Sequence, residues 1–228
     1  MREALIVSTA RTPIGKAYRG TFNNTNAPRM AGWAIEEAVK RSGIDPEKID
    51  DVIMGCAIQQ GTTHGNIARN SALSAGLPVT VSGMTIDRQC SSGMMAIATA
   101  AKQIIVDRMD VVVGGGLESI SLVQNEKMNI DRYLDKNLIS KHKHIYMPML
   151  QTAEVVGKKY GISREDQDLY SYYSQMRTAK AQETGKFDKE IFPVNTTMGV
   201  YNKETKEISL VEKMLSKDEG NRTSTNID

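Results

Sequence analysis

Short apolar runs alternate with helical patterns through the first half of the chain. Residues 4–7, 52–54, 84–86 and 110–113 are brief, rich in β-branched side chains and bounded by glycine or polar turns, the pattern of buried strands. Three amphipathic stretches lie between them. Ala31, Ala34, Ile35, Ala38 and Val39 share one helical face, with Pro28 in the first turn and Gly43 as the stop. A weaker helix is predicted over about 66–75, ending at Gly76. The clearest runs from about 91 to 106, where Met94, Ile97, Ala98, Ala101, Ile104 and Ile105 recur at helical spacing. Strands alternating with helices predict right-handed βαβ units and a mostly parallel sheet covered on both faces.

After Gly114-Gly115-Gly116 the pattern changes. Residues 117–149 are polar and aperiodic, with a Lys/His cluster at 141–144, and are expected to form a functional or mobile loop. Helices resume over 152–160, closed by Gly161. Ser163-Arg164-Glu165-Asp166 is a capping-box start for a helix that carries Leu169, Tyr173 and Met176 and ends near Gly185. Residues 204–228 are strongly charged and are expected to contribute no packing element. The chain shows no internal repeat and no low-complexity tract.

Composition narrows the class. With 228 residues, 40% of them apolar and 25% charged, the chain is long and apolar enough to bury a core. Lys and Arg exceed Asp and Glu by 29 to 27, a net charge of +2, which gives no electrostatic case for nucleic acid or a membrane surface. Two cysteines, Cys56 and Cys90, cannot build a disulfide framework, so a reducing compartment is expected. The apolar run at 4–7 is too short for a signal-peptide core, and no segment approaches a membrane span. The expectation is a soluble, cytoplasmic protein.

Cys90 stands out by position. It follows the third predicted strand and directly precedes the clearest helix, within Asp87-Arg88-Gln89-Cys90-Ser91-Ser92-Gly93. A cysteine at a helix N-terminus meets unpaired N–H groups and the positive end of the dipole, which favour thiolate. Ligands of open α/β sheets also bind outside the carboxyl ends of strands. The alternative is a small buried hydrophobe, and for Cys56, at the end of the second strand, that reading is preferred. No CxxC or HxxxH pair exists to hold a metal. His142 and His144 read as a solvated face, and His64 is a weak candidate base, so the chain offers a nucleophile without an obvious base. Gly114-Gly115-Gly116 lacks the Gly-Lys-Ser/Thr of a phosphate loop and instead suits close backbone approach. The thirteen methionines read mostly as core filling, with some, such as Met149, able to shape an acyl pocket.

Five segments, taken in order, resemble the thiolase family. Residues 86–96 resemble the segment around that family's acyl-accepting cysteine, and residues 8–16 its opening loop. Gly115-Gly116-Leu117-Glu118-Ser119 matches a turn after the fourth strand. Thr152-Ala153-Glu154 followed by residues 160–168 resembles the start of its loop domain. Asp218-Glu219-Gly220-Asn221-Arg222 resembles a later piece whose arginine helps hold coenzyme A. The related ketoacyl synthases fit the opening and loop-domain motifs poorly.

The resemblance implies two similar halves, each a five-stranded sheet, with a loop domain inserted after the fourth strand of the first. The expected fold is α/β: an incomplete layered α-β-α core with a mostly parallel sheet over residues 1–117, then a mostly helical loop domain over 118–228, incomplete at its C-terminus. The second half and the last strand of the first half are expected to be absent. The resemblance also implies that Cys90 takes an acyl group from a 3-ketoacyl-CoA or acetyl-CoA. The acyl thioester then passes to CoA (thiolysis) or to an acetyl-CoA carbanion (condensation), reactions of fatty acid metabolism. The Cys90 N–H would form part of an oxyanion hole. Arg222 and Met149 would contact CoA, a substrate rather than a permanently bound cofactor, and a homo-oligomer (dimer or tetramer) is implied.

Two departures qualify this. The family's Met-Gly-x-Thr is here Met149-Leu150-Gln151-Thr152, preceded by Pro148 where short-chain biosynthetic members carry histidine; this leans towards the degradative or broader-specificity branch. The family's Gly-His-Pro histidine, Cys-x-Gly cysteine and water-positioning asparagine do not occur within residues 1–228. The expected function is therefore a thiolase-type acyltransferase that needs a carboxy-terminal half for turnover. The alternative is a non-catalytic CoA-binding or scaffold fragment acting with a complementary chain.

Overall fold

Val52 and Ile53, successive and fully buried, show why the centre of the fold is a sheet covered on both sides. Neighbouring strand residues point to opposite faces, and each such burial is worth about 1.5–3 kcal/mol. The structure, a computed structural model, describes residues 2–226. By their contacts these form two units, residues 2–128 with Phe187–Gly220, and Asn129–Lys186 with residues 221–226.

In the first unit, strands β1 (Asp51–Gly55), β2 (Ser82–Ile86) and β3 (Val112–Gly116) form a parallel sheet in the order β2-β1-β3. The register sets Gly55 opposite both Ile86 and Gly116, so the three carboxyl ends are level. Helices α1 (Ala27–Ser42) and α2 (Ile67–Ser74) cover one face, where Ala31, Ile35, Ala68 and Ala72 meet Val52 and Met54. Helix α3 (Ser92–Lys102) covers the other, setting Ala96 and Ala100 against Ile53. This is the expected α-β-α layering, with the expected parallel sheet.

Local signals explain the helix ends. Pro28 lies in the first turn of α1, and Gly43 ends it with φ 68°, a left-handed conformation that glycine adopts without a Cβ penalty. The Asn66 side chain caps α2 by accepting from the Arg69 N–H. The helix predicted over 91–106 is α-helical for eleven residues and then continues as a π-helical turn over Gln103–Asp107. Strand β3 starts later than expected and runs through the glycines. A Cβ on Gly114 would stand 3.0 Å from Ile97 Cα, so the glycine lets α3 close on the sheet.

Two expectations fail. Residues 4–7 form no strand: Leu5, Ile6 and Val7 are 74%, 78% and 68% exposed, and the segment makes no backbone hydrogen bond among the described residues. A strand needs a ladder partner, and here a cavity of about 880 Å³, lined by Leu5 and Val7 as well as Val112 and Gly114, flanks the segment. Strand β3 is likewise paired on one edge only. Second, the charged stretch after residue 204 does contribute a packing element. Strands β4 (Val194–Tyr201) and β5 (Ile208–Leu215) form an antiparallel hairpin with Val194 opposite Leu215. That pair is buried with Phe22, against Met30 and Trp33. Seven of the eight β5 residues are exposed. Its apolar residues, Ile208, Leu210, Val211, Met214 and Leu215, do not alternate regularly with the polar ones, so the strand lacks the period-2 pattern by which to be recognised.

The stretch read as an aperiodic loop contains two short helices, α4 (Ile120–Val123) in the first unit and α5 (Lys136–Lys141) in the second. The second unit also holds α6 (Met149–Tyr160), closed by Gly161 at φ 64°, and α7 (Arg164–Glu183), where Ser163 accepts from the Asp166 N–H at 3.0 Å. Neither α6 nor α7 contains a buried residue. Among the described residues no helix is long and apolar enough to cross a membrane.

Candidate active site

Strand β2 ends at Ile86 and α3 begins at Ser92, so the intervening turn lies at the carboxyl edge of the sheet and carries Cys90, which is exposed. The turn is tied to itself. Asp87 Oδ1 accepts from the Gln89 N–H (2.8 Å), and the Ser91 N–H and hydroxyl both donate to the Arg88 carbonyl (3.2 and 2.9 Å). The buried Ser92 hydroxyl accepts from the Arg88 N–H (2.8 Å) and donates to the Gln89 carbonyl (2.6 Å). Gln89 sits at φ 48°, a left-handed conformation costly to a residue with a Cβ. The result is a candidate nucleophile presented on a braced turn at a helix N-terminus. Cys90 Sγ makes no hydrogen bond among the described residues.

Two strand-terminal glycines let that helix start so close to the sheet. A Cβ on Gly55 would lie 2.2 Å from the Ser92 carbonyl carbon and 2.4 Å from the Gly93 nitrogen; one on Gly116 would lie 3.0 Å from Gly93 Cα. Backbone therefore packs on backbone, and the start of α3 is pinned between the ends of β1 and β3.

Cys56 has the opposite character. It is buried, and burial first, then the Glu118 carboxylate, pushes its thiol up to about 11. Near neutral pH it therefore stays protonated and unreactive. Its Sγ donates weakly to the Ile58 carbonyl and to Glu118 Oε1, both at 3.8 Å, while Glu118 Oε2 accepts from the N–H groups of Ala57 (3.0 Å) and Ile58 (3.3 Å). Glu118 thus orders the loop that leaves β1.

The second unit holds the other two candidates. Met149 is the first residue of α6 and is 74% exposed. Arg222 donates its backbone N–H to Gln175 Oε1 at 2.7 Å, and its carbonyl accepts from the Thr225 hydroxyl at 2.9 Å. Its guanidinium makes no hydrogen bond or ion pair among the described residues. His64 is exposed after a 3₁₀ turn over Gly61–Thr63, and His142 ends α5.

Sequence reasoning missed the clasp on the opening loop. Asp218 accepts from Arg11 Nη1 (2.8 Å), Arg11 Nη2 (3.0 Å) and the Ile14 N–H (2.7 Å), and Arg11 Nε also donates to Glu190 (2.8 Å). Burial opposes the charge on Asp218, but Arg11 and the Ile14 N–H outweigh it and hold the carboxyl below its ordinary range. Glu219 accepts from the N–H groups of Lys16 and Thr21 and from the Thr21 hydroxyl. The only sequence signal was that Arg11, Ile14 and Lys16 sit in the opening-loop motif and Asp218 and Glu219 in the Asp-Glu-Gly-Asn-Arg segment; Thr21 and Glu190 lie in neither.

The sequence model of one family, described as thiolase, N-terminal domain, matches residues 4–228. The chain is 41% identical to a 3-ketoacyl-CoA thiolase of Bacillus subtilis, over all of this chain and 58% of the relative. It is 37% identical to an acetyl-CoA acetyltransferase of Cupriavidus necator, over 85% of this chain and 51% of the relative. The crystal structure of an acetyl-CoA acetyltransferase of Bacillus anthracis matches with a TM-score of 0.81 at 34% identity, covering 100% of this chain and 57% of that one. The chain spans about half the length of the curated relatives it matches.

Proposed function

The chain belongs to the thiolase family, and from that premise we propose that it works in acyl transfer between CoA thioesters with Cys90 as the acyl acceptor. The observation that carries this is the contrast between the two thiols: Cys90 exposed on a braced turn at the start of α3, Cys56 buried and held protonated. In thiolysis the Cys90 sulfur attacks the keto carbon of a 3-ketoacyl-CoA, and the bond between that carbon and its CoA-side neighbour breaks. The departing acetyl-CoA carbanion takes a proton. A CoA thiolate then displaces the acyl group from sulfur, releasing acyl-CoA and restoring Cys90. Dividing the reaction through a thioester replaces one hard step with two easier ones, and the Cys90 N–H is proposed as one oxyanion donor. We read residues 1–117 as the core and 118–228 as the loop domain, the protein as cytoplasmic, and CoA as substrate. The exposed apolar side chains of α6 and α7, Leu150 and Tyr170 among them, support assembly into a dimer or tetramer.

Brief treatment with iodoacetamide is expected to label Cys90 first, and CoA thioesters to protect it; preferential labelling of Cys56 would refute the assignment. Arg222 and Met149 are proposed to contact CoA. For Arg222 the support is a guanidinium that can pair with phosphate and stack on a ring. Arg222→Ala should weaken CoA binding at least several-fold by calorimetry, and unchanged affinity would remove Arg222 from the site.

A further inference from the structure

Cys90 has a left-handed neighbour, and something must hold it there. Gln89 at φ 48° lacks the freedom of glycine and the short amide by which asparagine stabilises that conformation. Such a conformation persists only where its surroundings over-determine it. The Ser92 hydroxyl reaches across the turn to both sides of Gln89, accepting from the Arg88 N–H at 2.8 Å and donating to the Gln89 carbonyl at 2.6 Å. The Ser92 N–H adds a second bond to the same carbonyl at 3.0 Å. Ser92 is itself closely packed: it is 4% exposed, and its carbonyl carbon lies 2.2 Å from where a Cβ on Gly55 would stand. One hydroxyl thus ties the turn that carries the sulfur to the first turn of α3 and, through Gly55, to the end of β1. Asp87 and Ser91 brace the same turn, but both are exposed and their bonds compete with water. Ser92 alone among the three acts from a dry position, where an unmade hydrogen bond is most costly.

We propose that Ser92 is the positioning residue of the nucleophile: its hydroxyl fixes the Arg88–Gln89 backbone so that Cys90 stays at the α3 N-terminus, where the helix N–H groups activate the sulfur. This rests on the reading of Cys90 as the acyl acceptor. Losing the hydroxyl leaves the Arg88 N–H without its acceptor and frees Gln89 to leave the left-handed region, carrying Cys90 off the helix axis. The sulfur would remain present and accessible but would no longer be aimed.

The test measures iodoacetamide alkylation of Cys90 at fixed pH in the 228-residue chain, with a synthetic peptide of residues 86–94 as the unpositioned reference. Wild type is expected to react at least tenfold faster than the peptide, and Ser92→Ala to fall to within about threefold of the peptide. Ser92→Thr, which keeps the hydroxyl, is expected to recover most of the rate. Ala100→Gly, which weakens α3 away from the turn, should stay within twofold of wild type. A fast Ser92→Ala would overturn the role of Ser92 and leave Cys90 as the acceptor. Equal slowing in Ser92→Ala and Ala100→Gly, or in Ser92→Ala and Ser92→Thr, would also overturn it, by showing a loss of fold or of fit. A wild-type rate no higher than the peptide's would overturn the reading of Cys90 and the inference together.

Discussion

Gly55→Ala is expected to destabilise the first unit by about 3 kcal/mol or more, at or above the upper end of overpacking costs, with a clear fall in the urea midpoint. The added methyl would stand 2.2 Å from the Ser92 carbonyl carbon and 2.4 Å from both the Ser92 oxygen and the Gly93 nitrogen. These are main-chain atoms at the start of a helix, so no rotamer change can relieve the clash; α3 must move or β1 must bend. Either movement opens the packing of Ile53 on Ala96 and shifts the turn of Cys90. Gly43→Ala is a useful contrast. Nothing lies within 4 Å of its added methyl, but its φ is 68°, so its cost is conformational and about 1 kcal/mol. If the two variants unfold at the same urea concentration with equal m-values, close approach at Gly55 is not what fixes the helix.

The central layers were legible because their signals are local. Helices α1 and α2 advertise their ends in Pro28, Gly43, Asn66 and Gly76, and the short apolar runs at 52–54 and 84–86 fall within β1 and β2. Cys90 was legible for the same reason, as a cysteine between a strand and a helix. What depends on distant partners was not. Residues 4–7 have strand composition, but composition cannot supply a ladder partner, so the segment is unpaired. The β4–β5 hairpin is anchored by Val194, Leu215 and Phe22, a cluster spanning most of the chain, while its other β5 residues face solvent and read as a charged tail. The Arg11–Asp218 pair joins positions 207 residues apart, and no periodicity reports such a bond. Ser92 and Glu118 were quoted within motifs, yet their roles follow only from which backbone groups they reach. The glycines at 114 and 116 were legible in kind, as sites of close approach, though not in partner.

Residues 1–228 on their own are expected to acylate Cys90 slowly at most and to sustain neither thiolysis nor condensation. The reaction needs a nucleophile, a group to take its proton, an acid/base for the incoming thiol or carbanion, and donors for two oxyanions. The first unit presents the nucleophile and its own N–H. The carboxylate that bonds a thiol, Glu118, is engaged by Cys56 and by the N–H groups of Ala57 and Ile58, and no base bonds Cys90 Sγ among the described residues. General acid–base groups contribute about 10²–10⁴-fold each, so lacking two costs roughly 10⁴–10⁸-fold in rate. The braced turn survives this loss, because every bond that holds it lies within residues 87–92. Acylation and turnover should therefore separate. With acetoacetyl-CoA and CoA, intact mass should show at most a partly acetylated Cys90, while the enolate absorbance stays nearly constant. Multiple turnovers abolished by Cys90→Ala would sink this expectation and make His64 the first base to test. Tight CoA binding with no acylation of Cys90 would instead favour a binding or scaffold role, since it would separate recognition of the nucleotide from any use of the sulfur.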